Sequence, residues 1–298
     1  MALFIGLTSV VGSSVAQLLC PEPAVPEKPA TLGSLKGVPV PLPAALDTVV
    51  KNRAKAIALG KAFFWDKQAG SDGQACASCH FHAGADNRSK NQLSPGLRAV
   101  PSDTTFQPMK SGGGGVNYQL TQSDFPFHVV ADPLDRTSSI VFTTNDVASS
   151  QGTYGGTFIQ FLGRTSEQCT PESMPIFHVN GKLARKVEPR NTPTTINAAF
   201  QFRTFWDGRA NNHFNGVDPF GRRNQNATIL VSTAAGSVAS EILDLENAAM
   251  ASQAVGPPLS DLEMACAGRA FRQIGRKMLN VVPRPLFKQK VDSTDSVL

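Results

Sequence analysis

The chain has 298 residues, of which 41% are hydrophobic, and its 28 Lys and Arg against 23 Asp and Glu give a formal net charge of +5. This composition excludes a wholly disordered chain. It also excludes a polytopic membrane protein, because beyond the N-terminus no apolar run is long enough to span a bilayer. The basic residues are spread out and form no block, so nucleic acid is not an expected partner. Residues 1–19 are small and apolar without a single charge, and Ser14-Val15-Ala16 suits a signal peptidase. They read as a signal-like segment that exports the chain to the periplasm, with a buried or anchoring helix as the alternative. The basic start of a signal peptide is absent, the first Lys being Lys28. Residues 20–43, with PEPAVPEKP and PVPLP, read as an extended Pro-rich linker.

From residue 44 the pattern becomes helical. Val50, Ala54, Ile57, Ala58 and Phe64 recur near a 3.6-residue period, with Asp47 as candidate cap. GSDG at 70–73 then breaks the chain just before Cys76-Ala77-Ser78-Cys79-His80. An insertion at about 88–188 follows, Gly-, Ser- and Thr-rich, with short β-like runs in SSIVFTT and TFIQFLG. Helical stretches are expected again at 194–210, 238–254 and 260–279, and residues 281–298 form a polar tail. The expected fold is mainly α: a cytochrome c-like haem domain at 44–280 carrying long, partly irregular or β-containing insertions.

The pentapeptide is C-x-x-C-H, the attachment signature of c-type haem. Two thiols three residues apart can each add to one vinyl group of a porphyrin, and the next residue then offers an imidazole to the iron. With five cysteines and five histidines in the whole chain, a chance occurrence is rare. A redox Cys pair has no use for His80, and a zinc site needs a second ligand pair that Cys169 and Cys266, far apart in sequence, do not offer. One covalent haem c on Cys76, Cys79 and His80 is therefore expected, and its attachment outside the cytoplasm agrees with export. His82, His128, His178, His213 and the methionines are the candidates for the opposite axial position.

Four segments together resemble the bacterial di-haem cytochrome c peroxidases and their MauG-type relatives. They are Leu59-Gly60-Lys61 through Phe64-Trp65-Asp66, the C-x-x-C-H pentapeptide, Arg190 through Asn197-Ala198-Ala199-Phe200 to Phe205-Trp206-Asp207-Gly208-Arg209-Ala210, and Gln253 through Gly256-Pro257 to Glu263-Met264. The resemblance implies reduction of hydrogen peroxide with electrons from a small cytochrome or cupredoxin, and it admits a homodimer. It implies Glu263 as distal acid/base with Gln253 beside it, and Trp206 as an electron conduit between haems. It further implies Asn191 as a contributor to a calcium site, and a distal His shortly before Arg190, for which His178 is the nearest match and His128 the second. A plain electron carrier and an oxygenase acting on an organic substrate are the rival functions. After residue 80 no second Cys-x-x-Cys occurs, where the family has another haem motif. The chain therefore reads either as a fragment whose tail begins a second haem domain or as a protein that stores its second oxidising equivalent elsewhere.

Overall fold

The computed structural model describes residues 33–88, 92–162, 167–172, 176–234, 236–279 and 289–298. The signal-like segment 1–19 and Cys20 lie outside the described residues. The chain divides into two compact units, Met1–Pro39 and Val40–Leu298. In the first, Leu35–Gly37 forms a 3₁₀ turn whose opening Ser34 accepts from the Lys36 amide.

The second unit is not mainly α, which corrects the expected fold class. Among the described residues 22% are helical and 18% are in strands. Helix α1 (Leu46–Val49) is a single turn, and α2 (Arg53–Trp65) is the longest helix of the unit. The expected continuous helix breaks because Val50 and Asn52 are extended. Asn52, not Asp47, is the working cap: its Oδ1 accepts from the Lys55 amide at 3.0 Å. The apolar stripe of α2 is only partly used, since Ile57 is 52% exposed while residues 61–64 are half-buried. Asp66 ends α2, starts a 3₁₀ turn by accepting from Gln68, and the chain reaches a second 3₁₀ turn at Cys76–Ser78.

The insertion region supplies strands β1 (Gln92–Ser94), β2 (His128–Val130), β3 (Ile140–Thr143), β4 (Val147–Ser149), β5 (Thr157–Phe161), β6 (Glu167–Thr170), β7 (His178–Val179) and β8 (Lys182–Leu183). They pair antiparallel as β1–β4, β2–β3, β5–β6 and β7–β8. The last pair closes through Asn180 and Gly181, both at positive φ, the conformation an Asn-Gly hairpin turn requires. Here too lie two apolar clusters of buried residues. Leu93, Met109 and Leu120 form one, and Phe177, Ala184 and Val187 the other, with Phe106 packed against both. The insertion thus carries its own core.

The helices expected at 194–210, 238–254 and 260–279 shrink for local reasons. Asn197, Phe205 and Gly208 hold left-handed φ, so the first stretch winds as a loop with one 3₁₀ turn at Ala198–Phe200. The second opens as the strand pair β9 (Ile229–Ala234) and β10 (Ser237–Glu241), leaving only α3 (Ala249–Ala254) helical. In the third, Gly268 at φ +79° follows Cys266, and α4 starts only at Phe271 (Phe271–Leu279). Cys266 is disulfide-bonded to Cys169 on β6, a pairing that a sequence separation of 97 gives no local sign of. Beside it, Glu167 is fully buried between Arg269 and Lys277, at 2.6 and 2.8 Å. Of the polar tail, residues 289–298 lie along α2, with Gln289 donating to the Ala62 carbonyl and Lys61 paired with Asp295.

Candidate haem site

The sharp turn at 75–80 is closed by backbone bonds from Cys79 and His80 to the Cys76 carbonyl and by Ser78 Oγ accepting from the Ala75 amide. It turns both thiols and the imidazole toward one cavity of about 490 Å³, a size usual for a cofactor cleft. Both thiols are unpaired. Burial raises the pKa of each, that of Cys79 to about 11, the opposite of a redox-active Cys pair, whose thiolate is favoured. Burial lowers the pKa of His80, so the ring is neutral. Its Nδ1 lies 3.0 Å from the Pro193 carbonyl, which fixes the tautomer with the proton on Nδ1 and leaves Nε2 as a lone-pair donor. The ring of Phe64, from α2, lies 6.5 Å from that of His80.

The segment that follows Arg190 is clamped between the pentapeptide and the insertion. Asp86 and Thr192 bond through their backbones, and Ser150 donates to Asp86 at 2.6 Å while bonded to the Thr192 hydroxyl. Ser149 donates to the Arg190 carbonyl. Gln74 reaches the Gly152 carbonyl. Gly152 has a packing reason to be glycine: a Cβ there would run into the Leu262 carbonyl. The insertion is therefore one wall of the cavity and not a surface appendage.

Two sequence-predicted distal residues join the same cavity: Gln253 from α3 and Glu263 from the turn after Ser260. Burial pushes the Glu263 carboxyl up, against a hydrogen bond from Ser260 and the charges of Arg98 and Arg209. Trp206 also lines the cavity yet is 66% exposed, with its indole N–H donated to the Asn191 carbonyl at 2.8 Å. As an isolated aromatic it would be a core residue; here it stands at the mouth. Neighbouring Phe205 holds φ +63° in the cavity wall, a backbone strain of about 1–3 kcal/mol of the kind found at functional sites.

Other candidates fall elsewhere. His178 sits exposed on β7 and His128 exposed on β2, bonded to Thr143; neither lines the cavity. His213 is held by Asp244 at 2.8 Å. His82 packs on Phe81. Among the described residues His80 is the imidazole of the cavity, whose remaining metal-capable lining includes Met250 and Met264. The Asn191 amide nitrogen donates to the Asp86 and Ala148 carbonyls, a structural cross-link. Among the described residues no group of three or more His, Cys, Asp or Glu is gathered for a metal ion.

A model of the di-haem cytochrome c peroxidase family matches residues 163–290. The matched residues are thus similar to the family that the four segments resemble. No curated protein and no solved structure matches the chain. The peroxidase-family span contains Arg190–Ala210 and Gln253–Met264, while the pentapeptide and α2 precede it; the fold brings all four into one cavity. The cavity also holds one residue that sequence reasoning missed. Glu188, two residues before Arg190, lines it, and Arg98 lies 3.7 Å from Glu188. Only the closeness of Glu188 to the Arg190 motif could have marked it. The residues fit a c-type haem: two free thiols, a neutral imidazole oriented by a carbonyl, and space beside them.

Proposed function

We propose that this chain is a haem c-dependent oxidoreductase that reduces hydrogen peroxide to water with electrons from a small external redox protein. The observation that carries the reading is that a thiol–thiol–imidazole cluster and a carboxyl of raised pKa share one cavity. Cys76 and Cys79 would hold the porphyrin by thioethers and His80 would ligate its iron, one haem per chain. When bound, that group supplies a redox metal able to exchange electrons with peroxide.

The rest is done by the chain itself. Reducing one peroxide to two waters consumes two electrons and two protons, so a proton must reach the departing oxygen. Glu263 suits that task because burial raises its pKa and so favours the protonated carboxyl, while the cavity gives it access to a small molecule. Gln253 offers an amide that can donate to one oxygen and accept from another. Pro193 keeps the proton of His80 on Nδ1. Trp206, exposed at the mouth, is the electron conduit, and a donor protein docks where it emerges. Export to the periplasm is supported by the Cys169–Cys266 disulfide, a bond that persists in oxidising compartments.

The test is Glu263→Gln in haem-loaded protein. Loss of a positioned acid/base lowers turnover about 10²–10⁴-fold, with haem attachment unchanged; an unaltered rate refutes the role. A second reading, a plain electron carrier, rests on Met250 and Met264 in the lining. A carrier capped by a methionine thioether would show no optical change on adding peroxide, whereas the peroxidase reading requires one.

A further inference from the structure

We propose that Glu188 is a positioning residue that shares a proton with Glu263 and returns it to Glu263 in each turnover. The inference rests on the reading of Glu263 as the proton carrier of the cavity. Glu188 comes from the end of the insertion and Glu263 from the turn after α3, yet both carboxyls line the same cavity. The Glu188 side chain is 16% exposed, and its Oε2 is buried with no hydrogen-bond partner. A buried carboxylate oxygen left unpaired is costly. The cost falls if Glu188 holds a proton, because the two carboxyls that line the cavity then carry a single charge.

The surrounding charges agree. Arg98, Arg190 and Arg209 act on Glu188, and Arg98 and Arg209 on Glu263. Their pull is limited. Arg98 lies 3.7 Å from Glu188 Oε1, beyond hydrogen-bond length, and Arg190 and Arg209 are both committed to Asp207 at 2.9 Å. The Cys76 and Cys79 thiols, which also feel Glu263, are neutral. Burial, reinforced by the neighbouring Glu263, pushes Glu188 up to about 7. In the relay an O–H bond breaks on Glu188, the proton crosses the shared cavity by way of water, and an O–H bond forms on Glu263 after Glu263 has given up its own proton. Glu188 then reloads from solvent, and no electron moves. The insertion thereby gains a role: it brings an acid to the cavity, with Arg98 3.7 Å from that acid.

The experiment uses haem-loaded protein with ¹³C-labelled glutamate, read by infrared difference spectroscopy across pH, beside turnover profiles. The wild type should show a glutamic-acid C=O band that disappears near pH 7, with turnover falling over the same interval. Glu188→Gln should lose that band and its pH step, with turnover reduced about tenfold or more, and Glu188→Asp should restore the step. A Glu188→Gln protein that titrates and turns over like wild type overturns the inference. So does a wild type without the band, a measurement that decides even where the variant fails to mature. Glu263→Gln separates the two readings. If it stops turnover while Glu188→Gln changes nothing, only the relay fails; if it turns over at the full rate, the underlying role of Glu263 fails.

Discussion

Glu188 also links pH to stability. Its ordinary value is 4.5, and in the folded protein burial and then Glu263 raise it to about 7. Between these values the native state keeps a proton that the unfolded chain has released. The native state thus binds more protons than the unfolded one, and stability falls as pH rises through the window. The contribution is fully present below the unfolded value and is gone once pH passes about 7. Urea midpoints measured across this interval should fall with pH in the wild type and fall less in Glu188→Gln; identical slopes would contradict the assignment. Asp86 acts in the opposite sense. Burial would raise it, but hydrogen bonds from Arg88 and Ser150 outweigh that and hold it below the usual range, so its contribution is lost on acidification. At this scale the sequence was legible where chemistry fixes spacing. Cys76, Cys79 and His80 would have to be neighbours to hold one porphyrin, and the structure turns all three to one cavity. Glu188 had no such constraint, since its partner lies far along the chain.

At the scale of elements, legibility followed backbone freedom. The β-like runs around Ile140–Thr143 and Thr157–Phe161 are strands as read, because alternation of branched and aromatic residues suits a pleat. The stretch 194–210 looked helical by its apolar spacing but is a loop, because the left-handed Asn197, Phe205 and Gly208 bend it around the cavity. Tertiary demands overrode propensity there. The Cys169–Cys266 bridge was equally hidden, yet it ties β6 to the segment three residues past Glu263. Replacing both cysteines by serine should cost about 2–5 kcal/mol, seen as a lower denaturant midpoint. An unchanged midpoint would show that the buried Glu167–Arg269–Lys277 cluster alone holds the junction.

For the whole molecule, the cavity is an assembly of distant pieces. The opening helix lends Phe64, the insertion lends Ser150, Gly152 and Glu188, the Arg190 segment lends Pro193 and Trp206, and the turn after α3 lends Glu263. A mainly helical scaffold was expected because the motifs resemble a helical haem domain. The apolar clusters lie instead in the strand-bearing insertion, and much of the cavity wall is made of turns and loops between short helices. Haem attachment at Cys76 and Cys79 is the property on which the account stands. Mass and optical spectroscopy of protein produced in a host competent for haem c attachment tests it most directly. One porphyrin per chain, bound through Cys76 and Cys79 and giving a c-type spectrum, is the predicted result. Colourless protein with both thiols unmodified would contradict it.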